Sequence, residues 1–414
     1  MESVICHIDC NNAFLSWEAA ARLSRGCTHD LRQVPAVVGG DPQKRKGIVL
    51  SASDSAKKAG IHTGMSVFEA GGKLPGLRIV PPDYELYMAC SDSLVELLSG
   101  VTPLVERYSI DECFIDASGC SQSGHVLADN LRKAIFARLG FTVNIGVSDS
   151  KLLAKMASGF QKPDKTHVLY RKDIREVLWP LPVSSLFMVG MKTCIRLYRL
   201  GYRTIGQVAM EDPGVLRQHF KLFGTLLWAY ANGIDESKVS GCTEKAKGLG
   251  NSTTTPEDIR RMEEGYPYVR SLCENLARNI RRMNLRAMTI SVGVKSCDFK
   301  FHSHQVKLSL PTDDTRMVYE TAKMLYNELW KGVPLRHISI RLHDFSPGSV
   351  RQLGFFDSSP DSRRKLDVCM DGIREKYGDA ALTPASLMGL GIDPVHQPRH
   401  PDYPRIQSNI FNGE

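Results

Sequence analysis

At 414 residues the chain is too long for a single hydrophobic core, so two to four domains are expected, and 42% hydrophobic with 24% charged residues is ordinary globular make-up. The net charge of +8 suits a polyanionic partner without identifying one. Eleven scattered cysteines with no C-x-x-C pair argue against a disulfide framework or zinc site, and no signal peptide or bilayer-length apolar run is present, so a cytoplasmic protein with no membrane association is expected.

Along the chain, Val4 to Ile8 alternates and then meets Asp9, which predicts a strand with an acid at its exit. A helix is expected at 13–24, strands at Val34 to Val38 and Ile48 to Ala52, and short helices at 53–60 and 65–73. Residues 84–100 have the pattern of an amphipathic helix ended by Gly100. A hairpin follows, Leu104 to Ser109 and Glu112 to Asp116, with Asp111 and Glu112 near its turn. Then come a helix at 124–139, a strand from Thr142 to Val147 and a helix at 150–160, broken by Pro163. This order is that of a ferredoxin-like βαββαβ unit with an insert after its first strand.

Residues 166–235 read as helical, and 236–249 as a polar linker. A second mixed unit has a strand near 249–254, a long helix at 257–283, strands at 287–296 and 300–310, a helix at 313–331 and a strand at 336–344. The tail carries a helix at 360–377, and the last twenty residues read as loose. The fold class expected is α+β.

The sharpest chemical signal is two acidic stretches on apolar strands. HIDCNNAF supplies Asp9, and SIDECFID supplies Asp111 and Glu112. If their strands adjoin, three carboxylates meet at one sheet edge. Carboxylates so placed raise each other's pKa unless a cation neutralises them, and an all-oxygen set suits magnesium. Taken singly, the same acids read as turn residues and a helix cap.

These stretches resemble the Y-family DNA polymerases of the bacterial polymerase IV group. SIDECFID resembles the S-x-D-E motif, and HIDCNNAFLSWE the first motif of that family. IGVSDSKLLAKMAS resembles its G-[VI]-[SA]-x-x-K-x-x-A-K-x-A-S signature, with QKPDKTHVL following. The likeness spans roughly residues 4–345. It implies a right-hand polymerase. The ferredoxin-like palm would be 1–10 and 78–165, with small fingers at 11–77, a helical thumb at 166–235, a linker at 236–249, a βαββαβ little finger at 250–345 and a tail at 346–414.

The implied activity is template-directed, low-fidelity translesion DNA synthesis without proofreading. Two Mg²⁺ ions would be held by Asp9, Asp111, Glu112 and the Cys10 carbonyl. Phe14 would be the ring that excludes a 2′-hydroxyl; alone it reads as a core aromatic. Lys162 and Lys57 match residues that contact the incoming triphosphate, with Ser55 as a hydroxyl donor. Many relatives have Tyr where this chain has Asp54, and Arg where it has Lys57. An ionised Asp54 repels phosphate, so either the triphosphate is held differently or Asp54 points away, paired with Lys57 or Lys58.

Residues 186–205 resemble a helix-hairpin-helix, which grips a DNA backbone through amides at a helix start, here Gly190 and Lys192, with Met188 in place of a usual glycine. Arg278, Arg281, Arg282 and Lys295 are expected to reach phosphate, along with Arg270, Arg286, Lys300 and Lys307. Gln352-Leu353-Gly354-Phe355-Phe356 resembles the bacterial sliding-clamp pentapeptide. The partners implied are primer-template DNA, dNTPs and the clamp, for a monomer. Two rival readings are another metal-dependent phosphotransferase, such as a nucleotide cyclase, and a non-catalytic DNA-binding accessory protein.

Overall fold

The computed structural model describes residues 3–40, 47–241, 246–348 and 361–393. They fall into two compact units, one up to residue 241 and one from residue 246 on.

The first unit runs β1 (Ile5–Cys10), α1 (Ala13–Ser24), β2 (Ala36–Gly39), β3 (Val49–Ala52), α2 (Asp54–Lys58), α3 (Val67–Lys73), β4 (Arg78–Val80), α4 (Tyr84–Ser99), β5 (Val105–Arg107), β6 (Glu112–Asp116), α5 (Gly124–Leu139), β7 (Val143–Ser148), α6 (Lys151–Ser158) and β8 (Thr166–Val168). It continues through α7 (Ile174–Val177), α8 (Met191–Arg199), α9 (Ile205–Ala209), α10 (Pro213–Phe220) and α11 (Leu222–Ala231).

Its main sheet has the order β5-β6-β1-β7-β8, with β1 in the centre, antiparallel to both neighbours. Strand alternation divides the sheet into two faces. Cys6, Ile8, Cys113, Ile115, Val143, Ile145 and Val147 join Leu94, Leu98, Leu127, Leu131 and Ile135 of α4 and α5 in one core. Ile5 and Phe114 face the other way, against Ala154 of α6 and Val239. Gly146 makes that second face possible. A Cβ there would meet the Ala154 carbonyl oxygen at 1.9 Å, so α6 lies directly on β7.

β2, β3 and β4 form a small separate sheet, ordered β3-β2-β4. The boundary expected at 77/78 falls against β4, whose Arg78–Val80 pairs with Ala36–Val38 of β2. Strand β8, at the expected start of the helical part, pairs in parallel with β7. Helices α7 to α11 share a core with α6, where Leu178, Leu197, Ile205, Leu216 and Leu227 join Leu153 and Met156. The first residues of the expected linker are docked. Val239 is buried against Ile5 and Phe114. The Ser240 amide donates to Glu106 Oε2 at 2.9 Å, and Asp235 Oδ2 accepts from the Leu152 amide at the start of α6.

The second unit runs β9 (Gly248–Ile259), α12 (Tyr266–Arg282), β10 (Leu285–Ser296), β11 (Phe301–Thr312), α13 (Thr315–Leu329), β12 (Leu335–Pro347) and α14 (Asp361–Tyr377). Its antiparallel sheet has the order β11-β10-β12-β9. The helix expected at 257–283 starts at Tyr266, because residues 257–259 extend β9 instead; Pro267 then sits in the first turn, where no amide is needed. One sheet face packs under α12 and α13 through Ile290, Val292, Ile338, Ile340, Leu272 and Val318.

The outer side of α12 carries α14. Glu274 and Arg374 are both buried and paired at 3.0 Å. Arg281 reaches Asp371 at 2.7 Å and Asp367 at 3.2 Å, and Arg278 pairs with Asp379.

Candidate active site

Alternation along β1 puts Ile5, His7 and Asp9 on the α6 face, and Asp9 lies directly opposite Glu112 of β6. Asp111 is one residue earlier, at the turn into β6. Its carbonyl accepts from the Cys10 amide at 3.0 Å, and its carboxylate accepts from Ser109 Oγ at 2.6 Å. The three expected acids are therefore brought to one end of the sheet. Burial, with the charges of Glu112 and Asp9 added, raises the Asp111 carboxyl above its ordinary range, although the Ser109 hydrogen bond opposes this.

Two lysines neutralise the other acids. Lys162 Nζ lies 2.5 Å from Asp9 Oδ2, and Lys155 Nζ 2.6 Å from Glu112 Oε2. Behind them His7 is wholly buried. Ser158 Oγ donates to the Lys155 carbonyl, so its lone pair takes the Nδ1–H of His7 at 2.8 Å. This network assigns the bare lone pair to Nε2, which faces Lys155 Nζ at 3.5 Å. Burial lowers the His7 pKa and keeps the ring neutral. Burial pushes Glu112 up, but the Lys155 ammonium beside it outweighs burial and holds the carboxyl below its ordinary range. With His7 uncharged, the Lys155 ammonium is the charge that matters.

Among the described residues, no three His, Cys, Asp or Glu side chains stand in a ligating arrangement. The donor chemistry still fits a hard divalent ion. Asp9, Asp111 and Glu112 offer only oxygen ligands, and each of the two paired acids already has a cation beside it.

The loop carrying Lys162 is held from below. Buried Asn144 donates to the carbonyls of Ser158 and Gln161 and accepts from Asn11 Nδ2 and the Lys165 amide, while Asn11 Oδ1 accepts from the Asp164 amide. Phe14, in the first turn of α1, is half-buried among Trp17, Tyr84 and Tyr87.

In α2, Asp54 accepts from Asn12 Nδ2 at 3.0 Å, and Lys57 donates to Asn12 Oδ1. Asp54 thus pairs with Asn12 rather than with a lysine. Ser53 Oγ accepts two backbone amides, from Ala36 and Ala56, so it donates to Ser55 Oγ and leaves the Ser55 hydrogen free. His7, Asn11, Asn144 and Tyr87 were not singled out from the sequence. For His7 the signal was present, since a period of two places it on the Asp9 face.

Gly190 N-caps α8, and the exposed Lys192 follows in its first turn. Met188 has φ +71°, so the chain keeps a left-handed turn where a glycine is usual.

In the second unit, the expectation that Arg278 and Arg281 reach phosphate is corrected. Their side chains are only 7% and 5% exposed and are held by acids of the tail. Arg282 stays partly open near Glu375. Lys295 lies on the uncovered sheet face, which it shares with Ser291, Gln305, Lys307, Ser339 and Arg341. Residues 352–356, the clamp-like pentapeptide, lie outside the described residues.

Models of the impB/mucB/samB family and of its C-terminal domain match residues 8–159 and 246–355. A DNA polymerase IV of Clostridium acetobutylicum is 41% identical, over 94% of this chain and 99% of its own. The chain belongs to the polymerase IV group of Y-family DNA polymerases. A DNA polymerase IV of Alkaliphilus oremlandii is 35% identical over 94% of this chain and all of its own, and a DNA polymerase IV 2 of Bacillus subtilis 32% over 94% and 96%. A solved Y-family DNA polymerase chimera, 23% identical, shares the fold with a TM-score of 0.73 over 82% of this chain and 98% of its own.

This polymerase IV relative is accordingly a DNA-directed DNA polymerase of the translesion class, with the divalent-metal dependence of its family. Its first unit has the Y-family palm, fingers and thumb, and its second the little-finger sheet. The rival readings as a cyclase or an accessory protein give way to this assignment. Among the described residues, no helix is long and apolar enough to cross a membrane.

Proposed function

We propose that the chain joins deoxynucleotides to a primer 3′-hydroxyl on a DNA template, at low fidelity and without proofreading, using two magnesium ions held by Asp9, Asp111, Glu112 and the Cys10 carbonyl. The observation that carries this reading is the pairing of Asp9 opposite Glu112, with Asp111 close enough for all three charges to be felt. The ions, when bound, supply charge that acidifies the attacking hydroxyl and offsets the leaving pyrophosphate.

The chain's own groups do the rest. Lys155 keeps Glu112 ionised. Lys162 stands on a loop braced by Asn144 and passes from Asp9 to a triphosphate oxygen. Lys57 and the free hydroxyl hydrogen of Ser55 meet the same phosphates, where cations offset charge that develops during phosphoryl transfer. Phe14 closes the space a ribose 2′-oxygen would need.

The α8 start at Gly190 and Lys192 meets a backbone phosphate. Lys295 and its open sheet face do so in the second unit, as does the partly open Arg282 of α12. Gln352, Leu353, Phe355 and Phe356 engage the sliding clamp. The protein works as a monomer in the cytoplasm. The test is single-turnover primer extension with an Asp111→Ala/Glu112→Ala double variant. A rate loss of about 10²–10³-fold or more is expected on losing such stabilising charge, and full activity would overturn the reading.

A further inference from the structure

We propose that Tyr87 is a positioning residue for sugar discrimination, holding the Phe14 ring so that it cannot yield to a ribose 2′-hydroxyl. The inference rests on the reading of Phe14 as the sugar-excluding ring. A steric barrier discriminates only if it stays in place, and a lone phenylalanine in a first helical turn can rotate away from one extra oxygen atom.

Here the ring is backed on several sides. Its face stacks on Tyr87, with centroids 4.6 Å apart and planes at 13°. Tyr84 meets its edge at 6.2 Å, and Trp17 lies tilted at 5.8 Å. Offset stacking of this kind favours a defined ring orientation as well as close packing.

Tyr87 is itself fixed. It is fully buried on α4, and its hydroxyl donates to Glu18 Oε1 at 3.1 Å. Glu18 is one helical turn beyond Phe14 on α1, is nearly buried, and lies 3.4 Å from Arg22 Nε. A buried carboxylate that accepts from two donors holds its position, because losing either donor leaves it undersatisfied. The chain of contacts thus runs from Arg22 through Glu18 and Tyr87 to the face of Phe14. Any buried tyrosine hydroxyl needs a partner, and what matters is which element supplies it. This one ties the backing ring to the same helix that carries the ring it supports.

The experiment measures kcat/KM for a dNTP and its matching rNTP, with active sites titrated so that inactive protein cancels from the ratio. Four variants are compared with the parent: Phe14→Ala, Tyr87→Leu, Tyr87→Phe and Glu18→Gln. Phe14→Ala is expected to remove most discrimination. Tyr87→Leu is expected to cut the dNTP-over-rNTP preference by about tenfold, the scale of a pocket altered by one group. Tyr87→Phe and Glu18→Gln, which keep the shape and weaken the anchor, should fall between Tyr87→Leu and the parent.

A purely structural role lowers the melting temperature but leaves the ratio alone. If Phe14→Ala relaxes selection while Tyr87→Leu keeps the parent's ratio, the gate stands and the positioning role is overturned. An unchanged ratio in Phe14→Ala overturns the gate reading, and this inference with it. Should Tyr87→Leu melt below the assay temperature, Tyr87→Phe decides: a ratio within about twofold of the parent overturns the proposal.

Discussion

The acid site depends on where single protons reside. His7 gives its Nδ1 proton to Ser158 and turns a lone pair toward Lys155, so the ammonium bridges the ring and Glu112. Stability depends on pH as a result. The folded state holds the His7 pKa below its ordinary value, so as acid is added the unfolded chain takes up this proton first. Stability therefore falls as pH drops below about 6.5, by at most about 1.4 kcal/mol per unit. Glu112, held below its ordinary range beside Lys155, does not titrate in that window. Melting temperatures between pH 7 and 5 should fall more gently in His7→Asn, which keeps a donor toward Ser158; parallel curves would contradict the assignment. The three acids were legible in the sequence because strand alternation and two ordered motifs converge on them. His7 lay in the same alternating run, but a buried histidine beside an acid carries no motif of its own. Asn144 was illegible for a different reason. Its four partners are backbone and amide groups on three other segments, and no local pattern announces them.

At the scale of elements, nearly every helix and strand follows the periodicity of the chain. The exceptions are instructive. The stretch from 270 to 286, most of α12 and the start of β10, shows five arginines against one nearby glutamate, which a local window reads as a face for phosphate. The acids that claim Arg278 and Arg281 come 86 to 101 positions later, from α14 and the turn after it. Composition in one segment does not disclose a partner so far along the chain, and the helix expected at 360–377, with the turn after it, supplies that partner. Removing one member of such a buried pair leaves the other uncompensated, at about 3–5 kcal/mol. Arg374→Ala, which leaves buried Glu274 with Arg270 as its remaining cation and removes the link to α14, should therefore lower the urea midpoint of unfolding. An unchanged midpoint would mean that α14 adds nothing to the second unit. The start of α12 at Tyr266 shows a similar limit, because polar residues after a strand read as helix until sheet pairing takes them up.

For the molecule as a whole, the proposed phosphate contact through the sheet face of Lys295, in place of buried Arg278 and Arg281, changes what salt should do. Deleting one cation that neutralises a phosphate flattens the slope of log affinity against log salt by about one. Lys295→Ala and Arg341→Ala should each do this for primer-template DNA, whereas Arg278→Ala should leave the slope alone while destabilising the fold. The reverse pattern would return the arginines to the DNA. The ammonium groups on Asp9 and Glu112 also bear on how the protein comes to exist. Carboxylates crowded at one strand end would push that corner apart during folding. With counter-charges drawn from its own lysines, two of the three carboxylates are compensated within the fold, so the corner is expected to assemble whether or not an ion is at hand.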